Sequence, residues 1–275
     1  MFKKISCPQC HQAIDEKDNV CPFCDYKLRN SKDKTIYISF VKQIIVFIIG
    51  FACFQLVGLT ISTLISLIAN QFSLDPSFVD GVKNNAFTNF FTYGLLFYVM
   101  LFVLWNDNFK IIKSFKGIKP ILLGIAGYAA IYAFNILYSN FLVLIGVDFG
   151  NSGNESSLRE IVKIYPIISL VIFGIVGPFV EEITYRIGLF SFFKRINRIL
   201  AYVVTIIIFT LIHFTFKQET IINELLNVPY YAFAAITFCF LYDKFGFASS
   251  MYAHAFNNII DIITVIIINN MAWNI

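Results

Sequence analysis

Two adjacent carboxylates, Glu181 and Glu182, stand inside the apolar stretch 167–193, IISLVIFGIVGPFVEEITYRIGLFSFF, which also carries Arg186. Ionisable groups at membrane depth are expensive and point to function by default. Residues four apart share a helix face, so Glu182 neighbours Arg186, while Glu181 turns about 100° around the axis. A structural ion pair plus one protonated carboxyl is the plain alternative. Downstream, IIIFTLIHF carries His213 four residues after Phe209, whose ring is expected to pack on the imidazole and position it. SSMYAHAFNNII carries His254 four residues before Asn258, with Asp261 a further turn along. An imidazole and an amide donor on one face suit the stabilisation of a developing oxyanion. Taken alone, such a pair reads equally well as a polar contact between membrane helices.

These side chains need a scaffold inside a bilayer, and the composition supplies one. Of 275 residues, 58% are hydrophobic and 14% charged, with a mean hydropathy of +0.72. That balance excludes an ordinary soluble domain. The fold class expected is all-α, a polytopic transmembrane helical bundle of about seven spans, with eight as the alternative count. The spans lie near 38–69, 87–105, 120–145, 165–193, 199–214, 229–242 and 247–268, each judged against the roughly 20 residues that cross a bilayer. The segment 216–228, FKQETIINELLNV, mixes polar and aliphatic residues and is expected to lie at the outer interface as a separate amphipathic helix.

Lysines and arginines fall in alternate connections. Lys27, Arg29, Lys32 and Lys34 precede the first span, Lys110, Lys113, Lys116 and Lys119 follow the second, and Lys194, Arg195 and Arg198 follow the fourth. The intervening connections 70–86 and 146–164 are richer in Asp and Glu. The positive-inside bias places the N-terminus in the cytoplasm of a cell-membrane, multi-pass protein. The first residues, MFKKISCPQC, show no apolar core or cleavage site of a secretory signal.

Four cysteines occur early, in CPQC at 7–10 and CPFC at 21–24. Two CxxC knuckles suit a tetrahedral four-thiolate zinc site, with Cys7, Cys10, Cys21 and Cys24 as ligands. His11 is a bystander in this reading, and a pair of disulfides is the alternative, disfavoured in a reducing compartment. Acidic residues within the module argue against nucleic acid as a partner; anionic lipid is the expected neighbour of the flanking lysines.

The ordered set EEITYR at 181–186, FTLIH at 209–213 and HAFNN at 254–258 resembles the CAAX-processing and bacteriocin-processing (CPBP, Abi-type) intramembrane proteases, preceded here by a zinc ribbon. The resemblance covers about residues 120–268, with Gly188 one place later than the Arg-Gly usual in that family. It implies a helical bundle with a water-filled cavity opening toward the cytosol, and cleavage of a membrane-associated peptide or protein. Carried over residue by residue, it implies Glu181 as general base, His213 orienting or deprotonating the water, and His254 with Asn258 stabilising the oxyanion. Glu182, Arg186 and Phe209 would support the site. A glutamic, metal-free mechanism is preferred over a catalytic metal, because the Glu and two His lie on three separate helices without an HExxH pair. A non-catalytic membrane scaffold or bacteriocin-immunity protein of the same fold, acting through a membrane-protein partner, is the alternative function. The organisation expected is a zinc ribbon at 1–30, N-terminal transmembrane helices and linker at 31–119, and the protease core at 120–268, in what looks like a bacterial plasma membrane.

Overall fold

The structure, a computed structural model, describes residues 4–7, 10–15, 18, 21–24, 34–216 and 221–272. Lys27, Arg29 and Lys32 of the basic linker lie outside them. A small N-terminal hairpin pairs β1 (Lys4–Ser6) with β2 (Ala13–Asp15), antiparallel, Ile5 facing Ile14. The rest is helical: α1 (Phe40–Gln71), α2 (Val82–Val103), α3 (Asn108–Ser114), α4 (Lys119–Leu144), α5 (Gly153–Ile164), α6 (Pro166–Lys194), α7 (Arg198–Ile212), α8 (Ile221–Phe245) and α9 (Phe247–Ala272).

Six of these have the length and apolarity to cross a membrane, α2 with the short turn from Pro76 included. The helix α7 is shorter, 15 residues, about 22 Å at roughly 1.5 Å per residue. Hydrogen bonds gather several of the chain ends into two groups. At one end, Lys42 pairs with Asp107 at 2.7 Å, Lys194 Nζ donates to Thr35 Oγ1 at 2.6 Å, and Arg195 donates to the carbonyls of Pro22 and Ile38 at 3.0 and 2.7 Å. The Tyr242 hydroxyl donates to the Ile36 carbonyl at 3.1 Å. The ribbon and the connections after α2, α6 and α8 therefore share one end. At the other end Gly150 N–H donates to Asn223 Oδ1 at 3.2 Å, and Ser152 and Tyr231 hydroxyls meet at 2.7 Å.

The sequence expectation for 216–228 fails here. Residues 217–220 lie outside the description, but from Ile221 the chain is one continuous helix that carries Pro229 inside it. Its polar residues do not face the membrane surface. Glu224 Oε1 accepts from Gly153 N–H at 2.6 Å, and Asn227 Nδ2 donates to the Gly150 carbonyl at 3.0 Å. A carboxylate at the first residue of α5 complements the positive end of that helix, so the polar face serves a neighbouring helix. Proline removes one backbone bond inside α8, and the Tyr138 hydroxyl donates to the carbonyl of Leu226 there at 3.1 Å. The helix α5 itself, within a stretch read from sequence as a connection, is signalled by Ser152-Gly-Asn-Glu155, a capping-box pattern; Ser152 Oγ accepts from Glu155 N–H at 3.2 Å.

The di-Glu helix α6 is central: 50% of its apolar window is buried, against 11% for α1. It contains two π-helical turns, Ile172–Val176 and Ile183–Phe190, and such turns concentrate at functional sites. The helix α1 crosses the second of them closely. A Cβ on Gly50 would lie 1.8 Å from Thr184 Oγ1, and one on Gly188 3.2 Å from Phe47 Cβ. Glycine is thus required by contact at Gly50. Beyond the crossing, Ile36, Ile38, Leu104, Ile111, Phe190 and Phe247 form a buried apolar floor at the ribbon end.

Candidate active site

A cavity of about 850 Å³ occupies the half of the bundle away from the ribbon, and Glu181, His213, His254 and Asn258 all line it. Glu181 ends the short α-helical stretch before the second π turn. Its Oε1 accepts from the Tyr93 hydroxyl at 2.8 Å. Its Oε2 is buried without a hydrogen bond and faces His254 Nε2 at 3.6 Å, too long for a direct bond. A carboxylate with one oxygen anchored and the other unpaired beside an imidazole has a lone pair to offer a water.

Glu182, one residue on, is fully buried and turned away. Its oxygens accept from His254 Nδ1 at 3.0 Å and from the Ser250 hydroxyl, with Arg186 Nε at 3.3 Å. Arg186 is the largest fully buried side chain among the described residues. Its guanidinium makes no well-aligned hydrogen bond and is held instead by charge and by two ring faces, Phe209 at 4.8 Å and Phe238 at 5.3 Å. Cation–π contact of this kind strengthens on desolvation.

Phe209 lies at the junction. Its ring contacts His213 at 4.7 Å and His254 at 5.9 Å between centroids. The expected positioning contact to His213 is present, and the ring also covers Arg186. His213, immediately after α7, is fixed by its Nδ1 donating to the Phe209 carbonyl at 2.8 Å and by stacking on Tyr231 at 4.8 Å. The neutral ring then presents Nε2 as its acceptor. Among the described residues no hydrogen bond joins His213 to Glu181; the two share the cavity, not a bond.

Asn258 Nδ2 donates one of its two N–H groups to the Phe173 carbonyl at 3.0 Å, within the first π turn, which fixes the amide and leaves the second N–H for another acceptor. His254 is flanked by both glutamates, so its imidazole links the di-Glu pair before it meets any substrate. Two further residues were not found from sequence. Ser250 precedes His254 by four, and the same-face rule that paired His254 with Asn258 would have found it. Tyr93 comes from α2, with no spacing that ties it to the motifs.

Residues 163–260 match the family model of the type II CAAX prenyl endopeptidases that are Rce1-like. Over that segment, about a third of the chain, it is similar to that family. The segment holds all of Glu181, Glu182, Arg186, Phe209, His213, His254 and Asn258, and it excludes Tyr93 and all but the last two residues of α5. The UPF0177 protein YvdC of Lactococcus lactis subsp. lactis (strain IL1403) is 23% identical over 156 residues. That alignment covers 56% of this chain and 56% of the relative, so the chain spans about half the length of the curated protein it matches. No solved structure matches. The matched segment sits in a multi-pass helical membrane protein.

The cavity is lined at the end opposite the ribbon by Gly150, Asn154 and Glu155, while the buried apolar floor lies at the ribbon end.

In the N-terminal module the four thiols of Cys7, Cys10, Cys21 and Cys24 lie within 4.8 Å of one another, and no other convergent set of three or more metal-ligating side chains occurs among the described residues. Cys7 and Cys24 Sγ are 3.5 Å apart, as are Cys10 and Cys21 Sγ. Disulfides require about 2.05 Å, whereas a tetrahedral ion with ~2.3 Å metal–sulfur bonds spaces its sulfurs by about 3.8 Å. The donors fit a metal ion. His11, at φ 59° in the first knuckle, is not one of them.

Proposed function

We propose that this protein is an intramembrane endopeptidase that cleaves a membrane-associated peptide or protein with a water activated by Glu181. The observation that carries the reading is the Glu181 carboxylate: one oxygen held by Tyr93, the other unpaired and 3.6 Å from His254, in a cavity that also contains His213. Glu181 Oε2 takes a proton from water as the water attacks the scissile carbonyl, and returns it to the amine nitrogen as the C–N bond breaks. The Nε2 of His213 assists in orienting that water from the far wall. His254, kept in place by Glu182, is the donor nearest the developing oxyanion. The second N–H of the Asn258 amide joins it. Glu182, Ser250 and Arg186 brace the imidazole, and Phe209 covers the brace.

A glutamic mechanism is favoured by donor geometry. Both nitrogens of His254 are directed at carboxylates, and the His213 Nδ1 is spent on a backbone carbonyl. The cavity residues are not a convergent ligand set. Zinc is the metal proposed for the four-thiolate ribbon, where it has a structural role. The setting proposed is a bacterial plasma membrane with the ribbon in the cytoplasm.

The test is turnover of a membrane-tethered peptide by the purified protein in vesicles. Glu181→Gln is expected to lower kcat by about 10²–10⁴, the usual range for loss of a general base. Equal turnover by wild type and variant, or survival of the cellular function in a Glu181→Ala/His254→Ala double variant, would establish a scaffold or immunity role instead.

A further inference from the structure

We infer that the site receives its peptide from the extracytoplasmic side of the membrane, so that its substrates are exported peptides or the outer juxtamembrane segments of other membrane proteins. This rests on the endopeptidase reading above, and three independent observations lead to it. The first is where the cavity ends. At the end remote from the ribbon it is lined by Phe149, Gly150 and Asn151, by Asn154, Glu155 and Arg159 of α5, and by Asn227 and Tyr230 early in α8, and Gly150 and Asn151 are exposed. The second is what lies on the other side of Glu181. There Ile36, Ile38, Leu104, Phe190 and Phe247 are buried together, and the Ser191 and Tyr242 hydroxyls meet at 2.7 Å while Tyr242 also binds the backbone of Ile36. A peptide arriving from the ribbon end would have to displace this floor.

The third is charge. In sequence, the connections at the ribbon end carry Lys110, Lys113, Lys116, Lys119, Lys194 and Arg195; those at the mouth end carry Lys83, Arg159, Lys163 and Lys217. Short loops rich in Lys and Arg stay in the cytoplasm, which puts the mouth outside. The chemistry of the mouth agrees with a polypeptide guest. Asn135, Asn151 and Asn154 line the cavity, amides that can both donate to and accept from an extended backbone. Its one arginine, Arg159, is already paired with Glu155 at 2.6 Å.

The experiment separates the route from the chemistry. Single cysteines are placed on exposed positions outside the site, Ser156→Cys on α5 and Lys116→Cys after α3, in the full-length protein. Intact bacterial cells are treated with a membrane-impermeant maleimide, and labelling is read as the gain over wild type. In the same cells, reporters present one cleavable segment on either the outer or the inner side of a single-span anchor. Ser156→Cys is expected to label in intact cells and Lys116→Cys only after permeabilisation. The outer reporter is expected to be cut at least tenfold faster than the inner one, and Glu181→Gln abolishes that cutting. Labelling of Lys116→Cys but not Ser156→Cys in intact cells overturns the inference, as does preferential cutting of the inner reporter. Expected labelling with neither reporter cut supports the sidedness of the cavity and counts against the endopeptidase reading.

Discussion

Removing the charge of Glu182 should cost more stability than removing the charge of Arg186, although the two form one buried pair. The asymmetry comes from their other partners. Glu182 also accepts from His254 at 3.0 Å and from Ser250, so Arg186→Met leaves a carboxylate that still has two donors. Arg186 has only the Glu182 charge at 3.3 Å and two phenyl faces, with no aligned hydrogen bond of its own. Glu182→Gln keeps the shape and an acceptor for His254 but leaves a guanidinium uncompensated in a fully buried position. Breaking a buried pair in this way costs about 3–5 kcal/mol; Arg186→Met should cost about 1–2 kcal/mol, the share held by its ring contacts. The double variant removes both charges and should fall within about 2 kcal/mol of wild type, since paired removal of buried charges is often close to neutral. The single-variant costs sum to about 4–7 kcal/mol, so the coupling is about 2 kcal/mol or more. Denaturant titration of the purified protein in detergent, followed by circular dichroism, measures all four corners of the cycle. Additive costs, or a larger loss for Arg186→Met than for Glu182→Gln, would refute the account.

Tyr93→Phe should reduce kcat about 10–100-fold with little change in unfolding midpoint, the effect of losing one hydrogen bond to a charged group; an unchanged kcat would remove Tyr93 from the site. Cys21→Ser should lower the zinc content measured by plasma emission from one ion per chain to well below half, since three thiolates no longer close the tetrahedron; full occupancy would count against the ligand set. Asp107 reports on acid stability. Burial works to raise its pKa, but hydrogen bonds from Lys42 and Lys110 prevail and hold it below the usual carboxylate range. A depressed folded pKa contributes stability above the unfolded value near 3.9, and that stability is lost as pH falls through the folded one. Lys42→Ala/Lys110→Ala should therefore move the acid limb of unfolding to higher pH, read by circular dichroism between pH 2 and 6; a limb that stays in place would contradict it.

The chemistry-bearing residues were legible in proportion to how local their relations are. Glu182 and Arg186, Phe209 and His213, and His254 and Asn258 are each four apart, and helical geometry alone puts each pair on one face. The thiol cluster was equally legible from two CxxC turns. Tyr93 was not, because its bond to Glu181 joins residues 88 apart and depends on how α2 packs on α6. The engagement of Asn258 with Phe173 was hidden for the same reason. The helical character of 153–164 was written in Ser152 and Glu155 but was outweighed by the polarity of the stretch, and the polar face of 216–228 was assigned to water because its true partner, the start of α5, had not been recognised as a helix. The buried floor at the ribbon end is a product of tertiary packing, and no periodicity encodes it.

The second π turn of α6 bears on how this chain should be compared with others. Bonds from i to i+5 hold one more residue per turn than bonds from i to i+4, so a π turn is where a helix accommodates an inserted residue without unwinding. It spans Ile183–Phe190, and within it Gly188 stands two places after Arg186, one place later than the family pattern has it, while still lying under Phe47 at the crossing with α1. Register on either side of the turn is kept by different contacts, the glutamates by the cavity and the glycine by α1. An alignment that admits a single-residue gap between Arg186 and Gly188 respects both; one that forbids it must misplace either the glutamate end of the helix or its packing end.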